Sequence, residues 1–223
     1  MVFVMHNIYY FLNIISVIVA AIIALYGYKA YKLTNEKKYA FFGLSFLLQL
    51  MGYVILITAF VIHKTTSYFF PEAIPDVIKN IIPVYHSIYG VYILFTLTAY
   101  TLFILIYSEI KEKAELTLIG FLILALMYPA YHSFRFFNAV AIGLLLFVLF
   151  YQARNYLEKK ELNKLLVIIA FILFLLSHAL LFFLGPVTEI VAAAYTIQLV
   201  AFLFFLAIVL RIETKWHQKE DQK

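Results

Sequence analysis

Four ionisable residues near the ends of long apolar stretches are candidates for binding a ligand or a metal ion. They are His86, His132, His178 and Glu189. Imidazole and carboxylate groups bind zinc and copper in proteins, and this chain has six histidines and no cysteine. The three named histidines are therefore a candidate metal set, and a pair of them could instead hold a haem. Because no HExxH or other close ligand spacing occurs, it stays open whether these residues only anchor helix ends at the membrane interface.

An aromatic stripe accompanies these residues. Tyr85, Tyr89, Tyr92 and Thr96 are spaced by four, three and four positions, which places them on one face of a helix. The predicted ligand pocket is lined by six residues: His86, Tyr89, Tyr92, His132, His178 and Glu189. Since a buried imidazole that faces lipid is costly, we expect His178 to point inward, toward the third or the seventh helix.

Four uncharged polar residues lie well inside apolar segments: Asn13, Gln49, Asn138 and Gln198. Polar side chains at membrane depth mark functional sites or form interhelical hydrogen bonds that fix packing, and both interpretations stay open. No Asp, Glu, Lys or Arg falls near the centre of a segment, which disfavours a proton-relay pump or a retinal protein. There is also no GxSxG motif and no Gly-rich phosphate loop, so the sequence favours a non-enzymatic role.

The composition predicts the class of protein that must position these residues. Hydrophobic residues make up 65% of the chain and charged residues 13%, and the mean hydropathy is +0.97. A soluble domain has about a quarter of its residues charged. Apolar segments of about 20 residues are typical of transmembrane helices, and we predict an all-α polytopic membrane protein with seven of them. The segments are Ile8–Tyr28, Tyr39–Ile62, Val84–Tyr107, Leu116–Tyr131, Phe136–Gln152, Asn163–Leu184 and Thr188–Leu210.

The distribution of basic residues predicts the orientation. Three of the 17 Lys and Arg residues, Lys64, Lys79 and Arg135, fall on one side of the predicted membrane, and the other fourteen on the opposite side. Because cytoplasmic loops carry the excess of Lys and Arg, the N-terminus is predicted outside and the C-terminus in the cytoplasm of a cell membrane. The net charge of +5 then indicates attraction to anionic lipid head groups rather than to nucleic acid.

The chain resembles itself at an offset of 125 residues. Phe11 then falls on Phe136, and Asn13 falls on Asn138. We predict a parallel 3+1+3 repeat; the alternative is that similar hairpins carry similar basic loops by coincidence. The predicted parts are repeat one at 8–107 with an external loop at 63–83, a connector helix at 116–131, repeat two at 136–210, and a cytoplasmic tail at 211–223.

The stretch "LMGYVIL" at 50–56, after a basic loop and an apolar helix start, resembles the seven-helix membrane module at the front of many histidine kinases. The resemblance implies a sensing function. Since only "RIETKWHQKEDQK" follows the last helix, it also implies output through a cytoplasmic or membrane protein partner. The 3+1+3 order is similar to that of SWEET-type sugar carriers, although their proline-glutamine motif is missing.

From these observations we predict a seven-helix sensing or regulatory module that binds a ligand or partner at its outer face. The alternatives are a small-solute transporter that uses the cavity between the repeats, and a haem-binding or metal-binding membrane subunit. The absence of cysteine, together with frequent Ile, Leu, Lys and Glu, is typical of thermophile proteins.

Overall fold

The computed structural model describes residues 2–69, 74–108 and 113–220, with side chains at 11–58, 61, 87–108, 117, 120–122, 124–187 and 189–213. These residues form seven α-helices, which confirms the predicted all-α class. The helices are α1 Val2–Thr34, α2 Lys37–Phe69, α3 Ile74–Tyr107, α4 Lys113–His132, α5 Phe134–Glu158, α6 Leu162–Leu184 and α7 Thr188–Glu220.

Six of the helices contain a stretch that is long and apolar enough to cross a membrane. The stretches are Phe11–Thr34, Lys37–Thr58, Ser87–Tyr107, Phe134–Glu158, Leu162–Leu184 and Glu189–Glu213. Large apolar side chains such as Phe150 and Phe183 point away from the protein and are exposed by 67% and 73%, as lipid-facing residues would be. α4 has a shorter apolar stretch, Gly120–His132, and continues through Pro129 to His132, so the described residues show six of the seven predicted spanning helices.

All seven helices extend beyond their predicted apolar segments at one end or both. The sequence predicted a loop over 63–83, but α2 extends to Phe69 and α3 begins at Ile74; residues 70–73 lie outside the described part. The predicted tail at 211–223 is helical as far as Glu220. Hydropathy locates the part of a helix that crosses lipid, whereas backbone hydrogen bonding allows the same helix to continue into water.

Local sequence explains several helix ends. Asn35 follows α1 with a φ of 57°, a left-handed conformation that Asn tolerates better than most residues. Ser133 precedes α5 and accepts a hydrogen bond from the backbone N–H of Phe136, as an N-cap does. Gly185 follows α6 with a φ of 79°, which favours glycine. These short turns hold α1 close to α2, α4 close to α5, and α6 close to α7.

Six helices (α1, α2, α3, α5, α6 and α7) pack as a ring, and α4 lies outside it. α1 packs against α2 and α2 against α3, α5 against α6 and α6 against α7, and the contacts of α1 with α7 and of α3 with α5 close the ring. Among the described helices, α4 contacts α3 and α5 alone, and it exposes Phe121, Leu124 and Tyr128. The ring therefore has an interior in which polar side chains are shielded from lipid.

Aromatic rings fill the half of the interior nearer to the end of the bundle that is predicted to be cytoplasmic. Phe46, Phe103, Phe171 and Phe205, from α2, α3, α6 and α7, are each buried and touch one another at ring-centroid distances of 5.1 to 6.1 Å. Most of these contacts are edge-to-face, which the aromatic quadrupole favours. This packing fixes α2, α3, α6 and α7 relative to one another below the polar residues described next.

Candidate functional site

His178 lies at the centre of a hydrogen-bonded group of side chains inside the ring. It is fully buried, six residues before the end of α6, which corresponds to about 9 Å along the helix. Its Nε2 lies 2.7 Å from the Tyr100 hydroxyl of α3, and its Nδ1 lies 2.8 Å from Asn138 Oδ1 of α5. His178 therefore points inward and toward the third helix, the first of the two inward directions expected.

The Asn138 side chain fixes the protonation pattern of the group. Asn138 Nδ2 donates to the Phe134 carbonyl at 2.8 Å, so Asn138 Oδ1 is the atom that faces His178 and must accept. His178 then carries its proton on Nδ1, and Nε2 accepts from the Tyr100 hydroxyl. We infer a neutral imidazole in one tautomer, held by one donor and one acceptor.

A second branch of hydrogen bonds begins at the neighbouring residue, Ser177. Gln198 Nε2 of α7 donates to Ser177 Oγ at 2.9 Å, and the Tyr53 hydroxyl of α2 donates to Gln198 Oε1 at 2.7 Å. Ser177 in turn donates to the Phe174 carbonyl at 2.7 Å. We call the six side chains the buried polar network: Tyr53, Tyr100, Asn138, Ser177, His178 and Gln198. It joins α2, α3, α5, α6 and α7.

Two of the predicted pocket residues, Tyr89 and Tyr92, lie one aromatic ring away from His178. Their rings stack on each other at 6.1 Å, and both contact Phe137 edge-on. The Phe137 ring lies 5.8 Å from the imidazole of His178. Tyr89 and Tyr92 thus face the interior, with Phe137 between them and His178.

The other predicted pocket residues lie elsewhere or outside the described side chains. His132 is exposed at the end of α4, with its ring against Tyr128 and Tyr131. Glu189 is exposed in the first turn of α7, and the side chain of His86 lies outside the description. Glu189 and His132 are thus at the protein surface while His178 is in the interior.

The described side chains contain no group of three or more His, Cys, Asp or Glu residues that could hold a metal ion. Both ring nitrogens of His178 are engaged by Tyr100 and Asn138. A metal ion or haem iron at His178 would have to displace one of these hydrogen bonds. The predicted set of His86, His132 and His178 includes one side chain that is not described, so it stays a prediction.

The four intramembrane polar residues are all buried: Asn13, Gln49, Asn138 and Gln198. Asn138 and Gln198 make interhelical hydrogen bonds in the network. The sequence reasoning missed Tyr53, Tyr100 and Ser177. The α3 stripe contained a signal for Tyr100, since it follows Thr96 by four positions, but nothing in the sequence pairs Tyr53 with Gln198.

Comparison with protein-family models, with curated proteins and with solved structures found no match to this chain. The class follows from the helices themselves. With six helices long and apolar enough to cross a bilayer and polar side chains turned into their ring, the chain is a polytopic integral membrane protein.

Proposed function

We propose that this protein is a sensing or regulatory module of the cell membrane that binds a ligand at its outer half and changes how its helices pack. The observation that carries the proposal is the buried polar network, in which His178 bonds to α3 and α5 and Gln198 bonds to α2 and α6. An ionisable residue such as His178 within a membrane helix is rare and marks a functional site by default.

The connectivity of the network supports sensing. A ligand that took over one hydrogen bond, such as the one from Tyr100 to His178, would release a contact between α3 and α6 and leave the others in place. Two arrangements of one interface that differ by a few hydrogen bonds are close in free energy. A ligand with different affinities for the two arrangements would shift their populations.

The proposed output surface is the basic end of the bundle. The Lys and Arg distribution supports an external N-terminus and a cytoplasmic C-terminus. At the end of the bundle that this orientation places in the cytoplasm, Lys29 of α1 pairs with Glu213 of α7 at 2.7 Å. A change in the packing of α7 would alter this pair and the surface presented to a partner protein.

A small-solute transporter is the second candidate, and the pattern of helix contacts favours it. Exchanging α1, α2 and α3 with α5, α6 and α7 maps the six ring contacts onto one another, as expected for a parallel repeat around an axis along the membrane normal. Transporters often place their substrate at such a repeat interface. Asn13 and Asn138, which correspond in the proposed repeat, are both fully buried.

The two candidates differ in a flux experiment. Purified protein in liposomes would be supplied with labelled glycerol, urea and glucose, and the thermal stability of the same protein would be measured with each solute. Sensing predicts saturable stabilisation by a solute without protein-dependent uptake, whereas uptake that His178→Phe abolishes would establish transport and contradict the proposal. The absorption spectrum and metal content of the same sample test the haem-binding or metal-binding alternative.

A further inference from the structure

Two hydrogen bonds cross the interior between the first three helices and the last three. The Tyr53 hydroxyl of α2 donates to Gln198 Oε1 of α7, and the Tyr100 hydroxyl of α3 lies 2.7 Å from His178 Nε2 of α6. Tyr53 and His178 correspond at the offset of 125 positions at which the chain resembles itself. The second helix of each group thus bonds to the third helix of the other group. We call these two hydrogen bonds the crossing bonds.

Four phenylalanine rings span the same interior nearer to the basic end of the bundle. We call them the phenylalanine quartet: Phe46, Phe103, Phe171 and Phe205. Phe46 lies 5.5 Å from Phe103 and 5.1 Å from Phe205, and Phe171 lies 5.2 Å from Phe205 and 5.1 Å from Phe103. Phe103 and Phe205 stack on each other at 6.1 Å with an interplanar angle of 1°. The quartet therefore joins the two groups of helices in a nearly symmetric manner.

Across the middle of the ring, the two groups meet through side chains alone. Among the described helices, no Cα atom of α2 lies within 8 Å of one in α7, and the same holds for α3 and α6. Inside one group the backbones come much closer, since a Cβ atom at Gly27 of α1 would lie 2.7 Å from the Cα of Gly43 of α2. Helices packed this closely move together, whereas a side chain that spans a gap can change rotamer and release its contact.

The crossing bonds and the phenylalanine quartet lie at different heights. On α2 and on α6, the residue of the crossing bond follows the residue of the quartet by seven positions, from 46 to 53 and from 171 to 178, which is about 10 Å along a helix. At the basic end, Lys29 of α1 and Glu213 of α7 form an ion pair at 2.7 Å. The quartet and this ion pair hold the two groups together at the basic end, and the crossing bonds hold them in the opposite half.

We propose that α1–α3 and α5–α7 are two units that tilt relative to each other, with the phenylalanine quartet as the pivot and the crossing bonds as the latch. Aromatic pairs keep favourable contacts over a range of distances and angles, whereas hydrogen bonds weaken steeply when their geometry changes. Breaking the crossing bonds should therefore separate the ends of the units that lie away from the basic end. This hinge-type motion goes beyond the sensing function, because it concerns which parts move and does not require a ligand.

The test measures distances between pairs of spin labels by double electron–electron resonance on the full chain in lipid nanodiscs. The chain has no cysteine, so labels attach only where cysteine is introduced. Labels at Thr58→Cys and Phe183→Cys report on the ends away from the basic end, and labels at Lys37→Cys and Leu162→Cys report on the basic end. All four side chains are exposed, and each pair joins the two units.

The double variant Tyr53→Phe with Tyr100→Phe removes both crossing bonds and keeps both rings. It should raise the ratio of longer to shorter distances between positions 58 and 183 about eightfold, as expected for two interhelical hydrogen bonds of average strength. The distance between positions 37 and 162 should stay unchanged. Each single variant should give about a threefold increase, which keeps the proposal testable if the double variant does not fold.

Ser177→Ala is the matched control, because the hydrogen bond between Gln198 and Ser177 joins two helices of the same unit. This variant should leave the distance between positions 58 and 183 unchanged. Labels at Arg135→Cys and Val187→Cys, both exposed and within the second unit, should keep their distance in every variant. An unchanged distance between positions 58 and 183 in the Tyr→Phe variants, or an equal change between positions 135 and 187, would overturn the proposal.

Discussion

The hydrogen bond between His178 and Tyr100 can be tested by a double-mutant cycle. In His178→Phe, the Tyr100 hydroxyl and Asn138 Oδ1 both lose their partner at a site that is fully buried. In Tyr100→Phe, only Nε2 of His178 loses one. In the double variant, the unpaired Tyr100 hydroxyl is no longer present.

The expected loss of unfolding free energy in each variant follows from the number of hydrogen bonds that the variant removes. Interhelical hydrogen bonds in membrane proteins contribute on average about 0.6 kcal/mol, and up to about 1.7 kcal/mol. For this buried site we take about 1 kcal/mol for each, so His178→Phe should lower the free energy of unfolding by about 2 kcal/mol and Tyr100→Phe by about 1 kcal/mol. The double variant should lose about 2 rather than 3 kcal/mol, because both single changes remove the same bond.

The assay is reversible unfolding by sodium dodecyl sulfate in mixed micelles, followed by circular dichroism. The control cycle combines His178→Phe with Ser16→Ala, since the Ser16 hydroxyl bonds to the Leu12 carbonyl of its own helix. Among the described helices α1 does not contact α6, so this pair should be additive within about 0.5 kcal/mol. If the changes at His178 and Tyr100 were additive within the same margin, the inferred hydrogen bond between them would be refuted.

Two further predictions concern packing and orientation. Gly27→Ala should destabilise the protein by about 1–3 kcal/mol, because the new Cβ would lie 2.7 Å from the Cα of Gly43 and backbone atoms cannot rotate away. Gly143→Ala is the matched control, since nothing lies within 4 Å of its Cβ. This control should be neutral or stabilising in the same unfolding assay. A tag after Lys223 should be labelled only from the cytoplasm and a tag within 64–82 only from outside, as measured with an impermeant reagent on intact cells; reversed labelling would contradict the orientation.

The sequence located the membrane helices better than their ends. Continuous apolar segments identify helices because lipid offers no partners for an open backbone, and all seven predicted segments correspond to helices. The loop predicted over 63–83 is wrong because α2 continues to Phe69 and α3 begins at Ile74, beyond the apolar segments that hydropathy identifies. The helix bounds there depend on backbone hydrogen bonding, which hydropathy does not report.

The burial of Asn13, Gln49, Asn138 and Gln198 also follows from the sequence. An amide that faces hydrocarbon is so unfavourable that its helix must turn that face toward protein. The same argument predicted that His178 points inward. The desolvation cost of a single side chain predicts only that the side chain is buried, and it does not identify its hydrogen-bond partner.

The partners depend on tertiary structure. Tyr100 and His178 are 78 positions apart, and Tyr53 and Gln198 are 145 apart, so no local periodicity relates them. Which helices are neighbours in the ring, and at what height they cross, depends on close contacts such as that between Gly27 and Gly43 and on the fit of the phenylalanine core. The sequence by itself determined that these polar groups are inside the bundle. The packing of helices that are distant in sequence decided that His178 meets Tyr100 and Asn138. Hydrogen bonds need atoms within about 3 Å of each other, and only the assembled ring sets such distances.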